Sequence, residues 1–418
     1  MTTNTPAVSG TDRYAHRRTR TELRVIGHDG VPLVDQDVTV TQLRHAFGFG
    51  CTAPDMTPAG ELLRRQWLDL FDTATLAFYW GRYESAPGKT DRERVTHTAQ
   101  WLFDRGVRLK GHPLVWHTVK APWVDRLSLA DAERALRGRI RREVNDFAGL
   151  INTWDVINEA VIMPRFINEP DGIANAITRL CAEKGRIDMV SLAFDEARSM
   201  GTNPTLVIND FDLGPEYEQL VEDLLAAGVR IDAIGLQSHM HQGFRGEDQL
   251  VEICDRFARF GIPLHWTETT LLSGDLMPGE IGDLNDFVVA EWPTTPAGEQ
   301  RQADEIVRHY QTLVAHPAVE SITYWGFDDA GAWLGAPSGF VRRDGTLKPS
   351  YESLRSLIRG EWWLGPTVLH TDAEGCVVVE AFAGLFEVSA AGASESVDLA
   401  AGSATSVVTL HPPRTARG

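Results

Sequence analysis

Between Phe47 and about Ile358 the chain keeps one rhythm, in which short β-branched runs alternate with longer stretches of helical period. Strands separated by a helix return in the same direction, so the rhythm dictates a parallel sheet with crossover helices. Eight runs read as strands: Phe47–Cys51, Thr75–Phe78, Val107–His112, Thr153–Ile157, Thr205–Ile208, Ile231–Gln237, Leu264–Glu268 and Ile322–Trp325. Helical patterns follow most of them, among them Leu129–Phe147, Asp188–Met200, Glu216–Ala227, Asp248–Phe260 and Gln302–Ala315. Eight such units in roughly 310 residues fit an α/β fold closed as a (β/α)8 TIM barrel with long loops. On this reading residues 46–360 form the barrel.

The two ends follow a different pattern. Residues 1–20 read as a disordered tail, and residues 21–45 hold strand patterns at Glu22–Ile26 and Val38–Leu43. From residue 361 to 418, Thr367–His370, Val377–Phe382, Leu385–Ser389 and Thr405–Leu410 read as short antiparallel strands with Gly-rich turns. The expectation is a small accessory β-sandwich built from both chain ends, either bracing the barrel or binding carbohydrate.

A formal net charge of −18 repels polyphosphate and sets nucleic-acid binding aside, while a neutral substrate is unaffected by it. Cys51, Cys181, Cys254 and Cys376 are scattered with no CxxC pair and read as reduced thiols. The polar N-terminus lacks the apolar run of a secretory signal, and no later run reaches membrane-spanning length. The expectation is a cytoplasmic protein with no membrane partner.

Two segments end an apolar strand in an acid: Thr153-Trp154-Asp155-Val156-Ile157-Asn158-Glu159 and His265-Trp266-Thr267-Glu268. In a β/α barrel the active site lies at the carboxyl ends of the strands, so Glu159 and Glu268 share one mouth. Glycoside hydrolysis needs such a pair, one carboxyl to protonate the leaving oxygen and one to meet the anomeric carbon. Either glutamate alone fits equally a helix cap or an arginine partner. Gly111-His112-Pro113-Leu114-Val115-Trp116-His117, Gly235-Leu236-Gln237-Ser238-His239 and Tyr324-Trp325-Gly326-Phe327, with Trp333 beyond, add aromatic faces and ring nitrogens suited to sugars. His112 and His117 are also open to a buried, internally bonded reading, and Asp155 reads as a buried organiser. The histidine pairs lack a well-spaced third ligand and no HExxH occurs, so no metal or other cofactor is implied.

These motifs resemble the family-ten glycoside hydrolases, whose best-known members are endo-1,4-β-xylanases. GHPLVWH, TWDVINEA, IND, GLQSH, WTE, WG and GFVRRDGTLKPSY occur in that family's order over about Phe47 to Ile358. The resemblance implies a retaining O-glycoside hydrolase with Glu159 as acid/base and Glu268 as nucleophile. It implies that Asn158 binds the 2-hydroxyl of the cleaved sugar, that His112, Trp116 and Gln237 hold the same sugar, and that His239 touches the nucleophile. Trp325 and Trp333 would wall the pocket, and Asn209 would face the leaving-group side.

Three positions depart from the family's pattern. Its acid, amide and lysine after strand two are replaced along Thr75-Leu76-Ala77-Phe78-Tyr79-Trp80, leaving Tyr79 and Trp80 to line the neighbouring subsite. Thr270 stands where an aspartate usually follows the nucleophile, and Phe211 replaces an aromatic hydroxyl. The catalytic residues are intact while the sugar grip is altered, which points to short oligosaccharides or small plant glycosides rather than polymeric xylan. A saponin-type deglycosidase, which removes the sugar from a bulky aglycone, is an alternative; a non-catalytic carbohydrate-binding pseudo-enzyme is another. The acidic Leu271–Gln302 stretch reads as a loop able to cover the cleft.

Overall fold

The computed structural model of the chain describes residues 12–54, 56–57, 60–169 and 172–412. It divides into two compact units, one made of residues up to Phe47 and from Ser356 onward, the other spanning Gly48–Arg355.

The larger unit is the expected closed parallel barrel. Its strands, in chain order, are β1 (Gly48–Thr52), β2 (Thr73–Ala77), β3 (Arg108–His112), β4 (Thr153–Asn158), β5 (Thr205–Asp210), β6 (Ala233–Met240), β7 (Leu264–Leu271) and β8 (Val319–Tyr324). Each pairs with its neighbours in sequence, and β8 closes on β1 through Ser321↔Gly48 to Tyr324↔Cys51. Strands β3 to β7 are buried almost throughout, because one face meets the barrel interior and the other the helices. Strands β6 and β7 each run three residues beyond the sequence reading, so His239 and Thr270 both lie on strands.

Position 111 shows how tightly the space between strands and helices is filled. Trp154 on β4 is fully buried, and its six-membered ring occupies the space beside Gly111 on β3. A Cβ at residue 111 would lie inside that ring's van der Waals envelope. Only glycine leaves Trp154 its place, and the next residue is His112.

The helix Leu129–Asp146 starts at Ser128, whose hydroxyl accepts the Asp131 N–H at 3.2 Å and so satisfies one of the bare N-terminal amides. Ala132, Leu136, Ile140 and Val144 form its buried stripe, at the spacing of one helix face. Arg139 shares that stripe and is also buried. Its guanidinium donates to the carbonyls of Phe78 and Leu114, and to that of Pro113 at 3.2 Å. Those carbonyls belong to the loops after β2 and β3, so one buried cation ties two mouth loops to the barrel wall.

The stretch between β7 and the next helix is shorter than the sequence suggested, because Pro296 already opens the helix Pro296–Ala315. The remaining loop packs around a small core that it shares with the segment after β8. Leu272, Met277, Trp292 and Ala336 are buried together, and Trp292 donates its indole N–H to the Asp275 carbonyl at 2.8 Å.

In the smaller unit, Arg18–Ile26 is the central strand of a three-stranded sheet, antiparallel to Cys376–Phe382 and parallel to Gly402–Thr409. A four-stranded sheet has the order Thr367–His370, Asp37–His45, Gly384–Ala390, Ala393–Leu399. Leu23, Val25, Val38, Val40, Val379, Phe386 and Val408 from the two sheets are buried in one cluster. The expected disordered tail of residues 1–20 is corrected over its described part, since Arg18 already pairs with Phe382; residues 1–11 lie outside the described residues. All four cysteines are free.

Gly111→Ala is expected to cost about 3 kcal/mol through overpacking against Trp154. Thermal unfolding checks this, and an unchanged midpoint would show that the ring can move aside.

Candidate active site

Glu159 follows the last residue of β4 and has a left-handed backbone, φ 56°. Its N–H donates to the Asn209 carbonyl at 2.8 Å, which fixes the turn. The paired register of β4 shifts between Asp155 and Ile157, and this bulge with the left-handed residue lets the neighbouring side chains Asn158 and Glu159 enter the same mouth. Glu268 lies within β7 and points into that mouth from the other side of the barrel; its side chain is 6% exposed.

Two amides join the carboxyls. Asn158 donates Nδ2–H to Glu159 Oε1 at 3.1 Å, and its Oδ1 accepts from Asn209 Nδ2 at 2.7 Å and Gln237 Nε2 at 3.0 Å. Asn209 donates its other Nδ2–H to Glu268 Oε1 at 2.9 Å. Thr267, one residue before the glutamate, donates to Asn209 Oδ1 at 2.5 Å. Gly235 on β6 makes room for this amide, because a Cβ there would stand 2.5 Å from Asn209 Oδ1.

The two carboxyls have opposite proton preferences. Burial pushes Glu159 up to about 8, and the Glu268 and Asp210 charges add to this against the Trp116 indole N–H, which donates to Glu159 Oε2 at 2.8 Å. Burial therefore outweighs the like-charge repulsion from Glu268. Burial also raises Glu268, but the His112 and His239 rings outweigh it and hold that carboxyl below its ordinary range. His239 Nε2 donates to Glu268 Oε2 at 3.2 Å, and His112 Nε2 lies 3.9 Å from Oε1. At neutral pH one acid is protonated and the other ionised, the division that acid-assisted displacement requires.

The remaining residues hold this pair in place. His112 donates Nδ1–H to Asp155 at 2.7 Å, and Asp155 is ion-paired with the buried Lys110 at 2.9 Å. Thr270 Oγ lies 3.4 Å from both His239 Nδ1 and His241 Nδ1. With His239 donating at Nε2, a Thr270 hydroxyl can donate to its Nδ1 and accept from His241, forming one chain of consistent direction. Burial pushes His241 down to about 3. His117 is buried, its Nε2 is 3.7 Å from Glu159 Oε2, and burial pushes it down to about 3 as well. Trp325 stands edge-on to His112 with ring centroids 5.1 Å apart, and Trp333 is 4.9 Å from His239.

The structure thus brings Glu159, Glu268, His112, Trp116, Asn158, Asn209, Gln237, His239, Trp325, Trp333 and Tyr79 to one mouth. Two expectations are corrected. Asn209 bonds the Glu268 carboxylate and Asn158 instead of facing the leaving-group side. Trp80 does not line the cavity. Its ring packs beneath Arg139, and its N–H is bonded to Glu84 at 2.8 Å, because the short helix Trp80–Tyr83 turns it inward. Thr267 and Asp210 escaped the sequence reading. Asp210 accepts the Val161 N–H at 3.0 Å behind Glu159, and burial raises it to about 7. The IND motif and the residue before the acid at 268 were the available signals, but period-two alternation places both facing away from the mouth.

The family model described as glycosyl hydrolase family 10 matches residues 55–356. The chain belongs to that family. This family-10 chain is 22% identical over 381 residues to the anti-sigma-I factor RsgI6 of Acetivibrio thermocellus, covering 89% of the chain and 45% of that relative. It is 25% identical over 417 residues to endo-1,4-beta-xylanase C of Paenibacillus barcinonensis, covering 85% and 37%. It therefore spans less than half the length of these curated relatives. Among solved structures it resembles a family-10 protein from Paenibacillus barcinonensis, with TM-score 0.62, 22% identity and coverage of 76% and 96%. It also resembles xylanase 10B from Thermotoga petrophila RKU-1 in complex with xylobiose, with TM-score 0.61, 18% identity and coverage of 76% and 95%. Likeness at these identities shows the barrel fold.

Titration of labelled glutamate carboxyls by NMR is expected to find Glu159 near 8. In Glu268→Gln that value should fall without reaching the ordinary range, since burial persists. A value near 4 in the wild type would refute the assignment.

Proposed function

We propose that this chain is a retaining β-glycoside hydrolase acting on short oligosaccharides or small plant glycosides. The observation that carries it is the bridged pair, with Glu159 held protonated and Glu268 held ionised at the same barrel mouth. Family-10 membership and relatives named endo-1,4-beta-xylanase support the reaction class.

The ionised Glu268 attacks the anomeric carbon while Glu159 gives its proton to the departing glycosidic oxygen. A glycosyl ester forms on Glu268 as the bond to the aglycone breaks. Glu159, now a carboxylate, takes a proton from water, which attacks the ester and regenerates Glu268 with the β configuration kept. Asn158 has both Oδ1 lone pairs and one N–H engaged, which leaves its second Nδ2–H for the sugar's 2-hydroxyl. As the ring gains positive character that contact strengthens.

The two sheets of the smaller unit, with their common core, are read as the accessory sandwich. No described helix is long and apolar enough to cross a membrane.

On an activated aryl β-glycoside, kcat/KM is expected to follow a bell. It falls below the lowered Glu268 value, where the nucleophile protonates, and above about 8, where Glu159 loses its proton. In Glu159→Ala, azide should restore turnover and give a β-glycosyl azide, whereas in Glu268→Ala it should give the α anomer. A first-formed α sugar from the wild type would exclude retention. No turnover of any activated glycoside would exclude a hydrolase.

A further inference from the structure

The aromatic lining of the mouth has no gap on the side of the nucleophile. Starting at Trp333, successive neighbours are His239 at 4.9 Å, Trp325 at 6.3 Å, His112 at 5.1 Å, Tyr79 at 5.8 Å and Trp116 at 5.6 Å between ring centroids. Tyr79 packs on both His112 and Trp116, whose own ring centroids are 6.4 Å apart, so the three rings close into a triangle. Its ring stands perpendicular to His112, and the Arg82 guanidinium lies 5.6 Å from its centroid. The Phe78 carbonyl just before it is held by Arg139, so the loop is anchored as well.

Apart from Arg82, the side chains around Tyr79 on this segment offer no polar grip. Thr75, Leu76 and Phe78 are buried in the wall, and Ala77 is exposed but has only a methyl group. The Tyr79 hydroxyl has no hydrogen-bond partner among the described residues, although its ring is mostly covered. Burial pushes the phenol up, and the Glu268 and Glu159 charges push it further, so the group stays protonated and is a donor facing both acids. Tyr79 is partly exposed, so this hydroxyl is open to a ligand acceptor.

A sugar with its anomeric carbon at Glu268 and its leaving oxygen at Glu159 turns its opposite edge toward this arc. We propose that Tyr79 ends the sugar-binding side after a single residue and donates its hydroxyl to that sugar's far edge, making the chain an exo-acting glycosidase that releases monosaccharides. This rests on the hydrolase reading above. A second sugar would have to take the place of the Tyr79 ring against the His112–Trp116 pair, where the Arg82 guanidinium is the charge beside that ring to replace its water.

The test compares 4-nitrophenyl β-glycosides of one sugar with those of the corresponding β-1,4-linked disaccharide, in the xylo and gluco series. The wild type is expected to cleave the monosaccharide glycoside at least about tenfold better in kcat/KM. Tyr79→Ala should clear the space the ring fills and raise the disaccharide glycoside by about tenfold or more while weakening the other. Tyr79→Phe keeps the ring and loses only the hydroxyl, so it should still reject the disaccharide while its KM for the monosaccharide glycoside rises. Equal cleavage of both substrates by the wild type, or a ratio unmoved in both variants, would overturn the proposal. If the wild type cleaves neither, the hydrolase reading has failed instead.

Discussion

A carboxylate taken out of water needs donors, and at Glu268 two of them are the Asn209 amide and the His239 ring. Asn209 is the more consequential because its second N–H goes to Asn158, which in turn binds Glu159. Both acids are therefore positioned through one side chain, itself fixed by Thr267 and seated against Gly235. Movement of either acid is transmitted to the other through bonds between buried groups, so the spacing that decides the stereochemistry belongs to the network and not to either strand alone.

Around this bridge the rings tilt the proton balance. The indole N–H of Trp116 favours the charged form of Glu159, yet burial prevails and the acid keeps its proton. At Glu268 the order is reversed, since the two imidazoles outweigh burial. The same depth in the barrel thus holds a protonated carboxyl at β4 and an ionised one at β7, and what separates them is the kind of partner, two imidazoles beside Glu268 against neutral N–H donors at Glu159.

The barrel was legible because parallel strands leave runs of buried residues bounded by helical periods, and all eight runs are found as strands. The acid pair was legible because charge at the end of an apolar strand is costly without a purpose. Pattern reading failed where the backbone leaves its regular period. Bulges leave Val156 unpaired on β4 and Thr267 unpaired on β7, and the second breaks the alternation that would keep Thr267 away from Asn209. Trp80 looked like a sugar platform because its type suits one, but a four-residue helix, Trp80–Tyr83, turns it onto Arg139. The strand Ala393–Leu399 escaped because it is an edge strand whose side chains are mostly exposed on both faces, leaving no alternation to detect.

The central strand Arg18–Ile26 takes both of its partners from beyond residue 375. On a ribosome adding about 10 residues per second, it emerges roughly half a minute before anything exists for it to pair with. Its alternating face, with Thr19, Thr21, Leu23 and Val25 inward, must wait exposed while every residue of the barrel is made. The charges at Arg18, Arg20, Glu22 and Arg24 on the opposite face keep that waiting segment soluble, as gatekeepers do beside an unavoidable apolar strand.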